Sequence, residues 1–144
     1  MIAGEDEARD WLRTLPECDD AARHRLERLA LLLAEENDRQ NLVSAESLTS
    51  VWRRHIADSA QLLLHVPRET GAPWLDLGTG AGFPGLVIAA LRPEARVVMV
   101  ESRQLRAQWL ERVQCTLELD QVVVIGRRLE LVETEPFRAI SARA

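Results

Sequence analysis

The N-terminal part of the chain carries apolar residues at helical spacing. Between residues 8 and 15 they recur at i, i+3, i+4 and i+7, which predicts an amphipathic helix that ends at Pro16. A second stripe at residues 26–33 predicts another helix, which either Asp19 or Asp20 can cap. Helices of this kind bury the apolar stripe against a partner and leave the polar face in water.

A third helical region follows, and the spacing then changes. Ser44 or Ser47 can cap a helix whose apolar positions run through residues 51–64. Beyond a loop that contains proline and glycine, short apolar runs alternate with helical ones. We therefore expect an N-terminal helical segment at residues 1–66 that packs on an α/β core at residues 67–144.

Short apolar or β-branched runs predict strands, at residues 74–77, 96–100, 121–125 and 137–140. Helical runs lie between them at residues 84–91 and 102–119, the second with Leu105, Trp109, Val113 and Leu117 expected on its buried face. Strands that alternate with helices pair in parallel through right-handed crossovers, so the predicted fold class is α/β with a doubly wound parallel sheet. The last strand lies close to the final residue, which predicts an open sheet edge and missing C-terminal strands.

The connection after the first strand has the composition of a ligand-binding turn. Gly78, Gly80 and Gly82 stand at every second position, so the backbone can turn tightly and a ligand can lie against it. The carboxylate of Asp76 would repel the diphosphate of a dinucleotide, whereas S-adenosylmethionine carries an ammonium, a sulfonium and a ribose but no phosphate. The turn therefore favours a methyl-donor site. An NAD-binding site and a purely structural turn remain the alternatives, because a lone glycine motif is weak.

Further candidate cofactor contacts follow the second and third strands. Glu101 ends the second strand, 19 positions after Gly82. That position puts its carboxylate beside the glycine turn, where it can accept hydrogen bonds from both ribose hydroxyls. After the third strand, backbone groups near Leu129 and Glu130 could contact the adenine edge. For Glu130 a solvent-facing acid is the alternative.

The charge of the chain bears on its partners. All 18 basic residues are arginine and the formal net charge is −5, which argues mildly against a nucleic-acid enzyme. Local clusters could still contact phosphate, with solvated surface charge as an equal alternative: Arg53 with Arg54, Arg103 with Arg106, Arg127 with Arg128, and Arg138 with Arg143.

The cysteines and the apolar runs indicate the compartment. Cys18 and Cys115 are far apart, and no histidines cluster with them, so a disulfide framework or a zinc site is not expected and a reducing cytoplasm is. Cys115 lies inside the predicted helix at residues 102–119, which makes it a candidate core residue. No apolar run approaches the roughly 20 residues that cross a bilayer.

The residues at the end of the fourth strand reduce the number of methylation reactions to consider. Ser141-Ala142-Arg143 lacks the Pro-Pro-aromatic motif of amine methylation, and no cysteine is well placed as a nucleophile for carbon methylation. Direct attack by a free lone pair remains, as at guanine N7, and Arg143 could orient the base through O6 or a phosphate. A surface arginine is the alternative. His55 and Asp58 share a helix face, where a structural pair is favoured over catalysis.

Several blocks together resemble the RsmG (GidB) family: Asn41-Leu42, and residues 54–59, 75–85, 106–119 and 140–144. The resemblance implies a Rossmann-like class I methyltransferase of bacteria that uses S-adenosylmethionine. The implied target is N7 of guanine-527 in the 530 loop of 16S ribosomal RNA, with that RNA or the small ribosomal subunit as partner and with neither a metal nor a membrane.

The resemblance also implies roles for individual residues. Gly78 and Phe83 would line the cofactor turn, Leu129 and Glu130 would flank the adenine, and Arg143 would reach the cofactor or the substrate. Family members have further strands and helices after the position of Arg143, so a cofactor-binding module without turnover is the alternative to an active enzyme.

Overall fold

The predicted strands all form and pair in parallel. The computed structural model describes residues 2–66, 73–131 and 136–142. In these ranges the strands are β1 (Trp74–Leu77), β2 (Val97–Val100), β3 (Val122–Ile125) and β4 (Ala139–Ala142), in the sheet order β3-β2-β1-β4. The predicted α/β parallel sheet is confirmed, and β4 begins two residues later than predicted and forms one edge.

The helices are α1 (Glu5–Arg13), α2 (Asp20–Glu36), α3 (Ala45–Leu48), α4 (Asp58–Ala60), α5 (Gly85–Leu91) and α6 (Gln104–Thr116). The carboxylate of Asp19 caps α2 by accepting a hydrogen bond of 2.8 Å from the backbone N–H of Ala22. The hydroxyl of Ser44 does the same for α3, with the N–H of Ser47 at 3.1 Å. None of these helices is long and apolar enough to cross a membrane, over the residues that are described.

The third predicted helix has three different windings. It runs as a π-helix over Trp52–Ala57, as α-helix over α4, and as a 3-10 helix over Gln61–His65. Its start is tied to α1, because the Glu5 carboxylate accepts hydrogen bonds from the N–H groups of Trp52 and Arg53 at 3.1 and 2.8 Å. Apolar spacing predicts a helix but does not distinguish these windings, and π segments are frequent at functional sites.

Alternate side chains of the strands face two different apolar layers. Trp74, Val97 and Met99 join the main core, which the helices cover on one side of the sheet. Leu75 and Val98 belong to a smaller cluster on the opposite side. This alternation is what a strand dictates, since successive side chains point to opposite faces.

The N-terminal helices belong to the same core as the sheet. Side chains of α1 and α2 are part of the main cluster together with those of α5 and α6. Arg25 of α2 also donates a hydrogen bond of 2.9 Å to the carbonyl of Ala90 in α5. These contacts hold the helical region against the element that follows the glycine turn.

The expected face of α6 is partly wrong. Leu105 is 65% exposed and Cys115 is exposed too, whereas Trp109 and Val113 are buried as expected. The reason is geometric: a strict four-residue repeat drifts around a helix of 3.6 residues per turn, so positions 105 and 117 lie about 120° apart.

Candidate active site

The loop between β1 and α5 is a tight turn of left-handed glycines. The backbone φ angles are 64° at Gly78, 60° at Gly80 and 108° at Gly82. Side chains with a Cβ atom rarely adopt such angles, which is why the sequence places glycine at every second position. The predicted tight turn is therefore present.

The glycines of this turn differ in what surrounds them. Among the residues that the structure describes, a Cβ atom on Gly78 would meet nothing within 4 Å, and one on Gly80 would meet only Nη1 of Arg106, at 3.9 Å. A Cβ on Gly82 would lie 3.0 Å from Leu110, and one on Gly85 would lie 2.5 Å from the sulfur of Met99. The first two positions thus face open space, and the other two allow α5 to pack closely against its neighbours.

Asp76 organises the turn from inside. Its carboxylate is fully buried, and Oδ2 accepts hydrogen bonds from the Thr79 hydroxyl at 2.5 Å and from the Gly85 N–H at 2.9 Å. Oδ1 accepts a third bond of 3.0 Å from the Ser141 hydroxyl on β4. These contacts make Asp76 a positioning residue for the turn; its direct contact with a cofactor remains a prediction.

Glu101 lies beside the turn, where the strand register requires it. Leu77, Val100 and Ile125 are partners at the carboxyl ends of adjacent strands, so the residues after them share one sheet edge. Oε1 of Glu101 accepts a hydrogen bond of 3.0 Å from the Gly80 N–H, and Oε2 accepts one of 2.8 Å from the N–H of Arg103, the residue before α6. Each oxygen keeps a second lone pair, because a carboxylate offers about four acceptor sites.

Phe83 packs inside the protein against the π-helix. It is buried and stacks on the ring of His55, with 5.0 Å between ring centroids and 23° between planes. Nε2 of His55 lies 2.9 Å from the Ser47 hydroxyl. The stack therefore connects the turn to the π-helix, and the predicted contact of Phe83 with a cofactor remains a prediction.

His55 and Asp58 line the same open cavity, of about 630 Å³. Arg53 and Arg54, one of the arginine pairs proposed for phosphate, line it as well. Arg54 also lies 3.6 Å from the Glu46 carboxylate. His55 and Asp58 thus lie on one wall of this cavity, and a role for the pair stays a prediction.

The remaining candidate arginines lie in three places. Arg106 is half-buried beside Gly80, and Arg103 is exposed one turn before it. Arg138 lines a second cavity, of about 590 Å³, next to β4. Arg127 and Arg128 are exposed after β3. Arg143, the predicted catalytic residue, lies outside the described residues.

Leu129 and Glu130 form part of a 3-10 turn (Leu129–Leu131) that follows β3. Both side chains are exposed, and the turn continues from the sheet edge that carries Glu101. The structure thus brings them to the predicted edge, while their contact with an adenine remains a prediction. Among the described residues, no group of three or more His, Cys, Asp or Glu side chains could hold a metal ion.

Three side chains that support the site were not singled out from the sequence for this role. The Trp109 indole N–H donates a hydrogen bond of 2.9 Å to the Ala81 carbonyl within the glycine turn. Thr79 and Ser141 hold the two oxygens of Asp76. The only sequence signals were their places inside the blocks that carry the family resemblance.

Comparison with solved structures agrees with this architecture. The fold is similar to that of an O-methyltransferase from Bacillus cereus solved with SAH, with a TM-score of 0.54, 22% identity, and coverage of 92% of this chain and 57% of that one. A coclaurine N-methyltransferase bound to N-methylheliamine and SAH matches with a TM-score of 0.51 and 16% identity, over 97% of this chain and 51% of that one. The predicted Rossmann-like class I fold is thereby confirmed.

Comparison of sequences gives closer relatives. The ribosomal RNA small subunit methyltransferase G of Erythrobacter litoralis is 56% identical over 100% of this chain and 68% of its own length. Its namesakes in Novosphingobium aromaticivorans and Rhizorhabdus wittichii are 56% and 44% identical, over 99% and 100% of this chain and 63% and 66% of their own lengths. The chain spans about two thirds of the length of these curated relatives.

A family model agrees with these relatives and with the resemblance seen in the sequence. The model described as GidB, rRNA small subunit methyltransferase G, matches residues 22–144. That range includes the glycine turn, Glu101, the π-helix and β4, which together make up the site described above. The chain therefore belongs to the GidB family, the rRNA small subunit methyltransferase G family.

Proposed function

We propose that this chain is an S-adenosylmethionine-dependent methyltransferase that acts on 16S ribosomal RNA of the small subunit. The observation that carries the proposal is the open side of the glycine turn, with the Glu101 carboxylate bound to the Gly80 N–H at 3.0 Å. The family membership and the names of the relatives indicate the class of substrate.

The residues present fit this cofactor. Gly78 and Gly80 leave open the space that a Cβ atom would enter, so a nucleoside can approach the main chain there. The Glu101 carboxylate has lone pairs for the ribose hydroxyls, and the turn at Leu129 and Glu130 would flank the adenine. When bound, the cofactor would supply the methyl group together with a sulfonium leaving group.

The finer proposal is methylation at N7 of guanine-527 in the 530 loop. Guanine N7 carries a lone pair and no proton, so the reaction needs no general base and depends on in-line positioning of the two reactants. Orientation of this kind can contribute up to roughly 7–11 kcal/mol. We assign Arg143 to hold the base or the cofactor, since it directly follows β4 in the sequence and belongs to a block that carries the family resemblance.

Ribosomal RNA needs cationic contacts on a protein that is acidic overall. The cavity lined by Arg53 and Arg54 supports such a contact, because two arginines contribute to one concave surface.

Part of the same proposal is that residues 1–66 form a helical segment supporting a cofactor core at residues 67–144. A cytoplasmic location would follow from the substrate.

Binding and turnover are tested separately. Calorimetry should detect S-adenosylhomocysteine and not NAD; the reverse preference would reject the cofactor assignment. Labelled S-adenosylmethionine should then transfer its methyl group to small-subunit RNA, and mapping should place it at the proposed guanine. A chain that binds the cofactor and transfers nothing would be a binding module, and a label at another base would reject the finer proposal alone.

A further inference from the structure

We propose that Arg106 binds the carboxylate of the methionine part of the cofactor, an inference that rests on the proposed function. In the proposed site Leu129 and Glu130 would contact the adenine and Glu101 the ribose. An amino-acid carboxylate needs a cationic or N–H partner when it leaves water.

Arg106 is the cation at the open side of the turn. Its Nη1 lies 3.9 Å from the point where a Cβ atom on Gly80 would stand, which is the direction that the glycine leaves open. Its Nη2 donates a hydrogen bond of 3.4 Å to the Asn41 carbonyl in the loop after α2. The guanidinium thus spans from that loop to the turn, and the side chain is half-buried.

The backbone that carries Arg106 is fixed relative to the turn. Three residues further along α6, the Trp109 indole is bonded to the Ala81 carbonyl of the turn at 2.9 Å. One residue earlier, the Leu105 carbonyl accepts a bond of 3.1 Å from the Gln40 side chain. Because the helix is held on both sides, the guanidinium can be positioned before a ligand arrives, which limits the entropy lost on binding.

The charges around the turn suit a zwitterion. The Asp76 and Glu101 carboxylates lie on the strand side, Asp76 buried beneath the turn and Glu101 at its edge, and give that side negative charge. Arg106 lies on the helix side, and over residues 2–66, 73–131 and 136–142 no carboxylate forms an ion pair with it. A guanidinium in that state can offer two parallel N–H donors to one carboxylate.

A pair of ligands isolates this contact. S-adenosylhomocysteine and its decarboxylated analogue share the adenosine and the ammonium and differ only in the carboxylate. In calorimetry on the full chain we expect S-adenosylhomocysteine to bind about tenfold or more tightly than the analogue. A ratio near one in the wild-type chain would overturn the proposal without any mutation.

Variants then assign the contact to the side chain. In Arg106→Gln we expect the difference between the two ligands to disappear, because only S-adenosylhomocysteine loses affinity. Arg106→Lys should keep part of the difference, since it retains a charge but not the planar pair of donors. Arg103→Gln is the matched control, because it removes an exposed arginine from the same end of the helix and should leave the ratio unchanged.

The other outcomes are distinguishable. Equal weakening of both ligands by Arg106→Gln would overturn the proposal, and so would unchanged ligand binding with weaker binding of small-subunit RNA, which would assign the guanidinium to a phosphate. A wild-type chain that bound neither ligand would refute the proposed function itself. If Arg106→Gln lowers the melting temperature sharply, the wild-type ratio and Arg106→Lys decide the question.

Discussion

Gly78 and Gly80 on one side of the turn face open space, whereas Gly82 and Gly85 on the other side face packed side chains. All four belong to one short motif and look equivalent in the sequence. The open pair leaves room for a ligand, and the packed pair lets α5 approach α6 and β2. One motif therefore has an open side and a closely packed side, and substitutions on the two sides should have different effects.

Gly82→Val should produce the largest loss of stability. The residue combines a φ of 108° with a position where a Cβ atom would lie 3.0 Å from Leu110, so strain and overpacking add. We expect the free energy of unfolding in urea to fall by about 3 kcal/mol or more.

The matched control on the open side is Gly78→Ala, which carries the backbone strain without the clash. Its expected cost is about 1–2 kcal/mol. Equal losses at the two positions would contradict the distinction between an open and a packed side.

Asp76→Asn tests the inner support of the turn. An amide nitrogen cannot accept a hydrogen bond, so the Asn side chain offers one acceptor oxygen where the carboxylate offers two to Thr79, Gly85 and Ser141. We expect the free energy of unfolding to fall by about 2–3 kcal/mol. Asp120→Asn, at an exposed acid before β3, should change it by less than about 0.5 kcal/mol. A comparable effect at both sites would remove Asp76 from its positioning role.

The sheet and the residues at its carboxyl edge could be predicted from the sequence, because both depend on local periodicity and on strand register. β1 has the predicted bounds, and Glu101 lies beside Gly80 because parallel strands end at the same edge. Periodicity could not sort the glycines into two pairs, since that depends on which side chains of α6 and β2 arrive from elsewhere in the chain. Arg106 was only one member of a surface pair until the fold placed it next to the turn.

Glu101→Ala tests the open side of the glycine turn, where the cofactor is proposed to bind. Its carboxylate should accept hydrogen bonds from the ribose, so removing it should weaken S-adenosylhomocysteine binding by about 1–3 kcal/mol in calorimetry. Stability should change less than in Gly82→Val, because the two N–H groups that Glu101 contacts lie in a partly buried loop. An unchanged dissociation constant would contradict its placement at the ribose.

Glu36→Gln provides a reference outside the turn, at a buried acid that joins α2 to α6. Burial alone would raise the pKa of Glu36, but hydrogen bonds from Gln40 and Arg112 and the charges of Arg112 and Arg39 outweigh it, so the pKa is lowered. A lowered folded-state pKa means that the ionised form stabilises the fold above the unfolded value of 4.5, and that this stabilisation is lost as the pH falls through the folded value.

The variant should therefore lower the free energy of unfolding by about 1 kcal/mol at pH 7, and by progressively less as the pH falls below 4.5. Urea unfolding at several pH values measures the difference directly. The contrast with the turn is that Glu36 is held by charged partners, with Arg112 of α6 at 2.8 Å. A loss that did not vary with pH would mean that Glu36 stabilises the fold through the shape of its side chain and not through its ionisation. Glu36 could then not serve as an electrostatic reference for the acids of the turn.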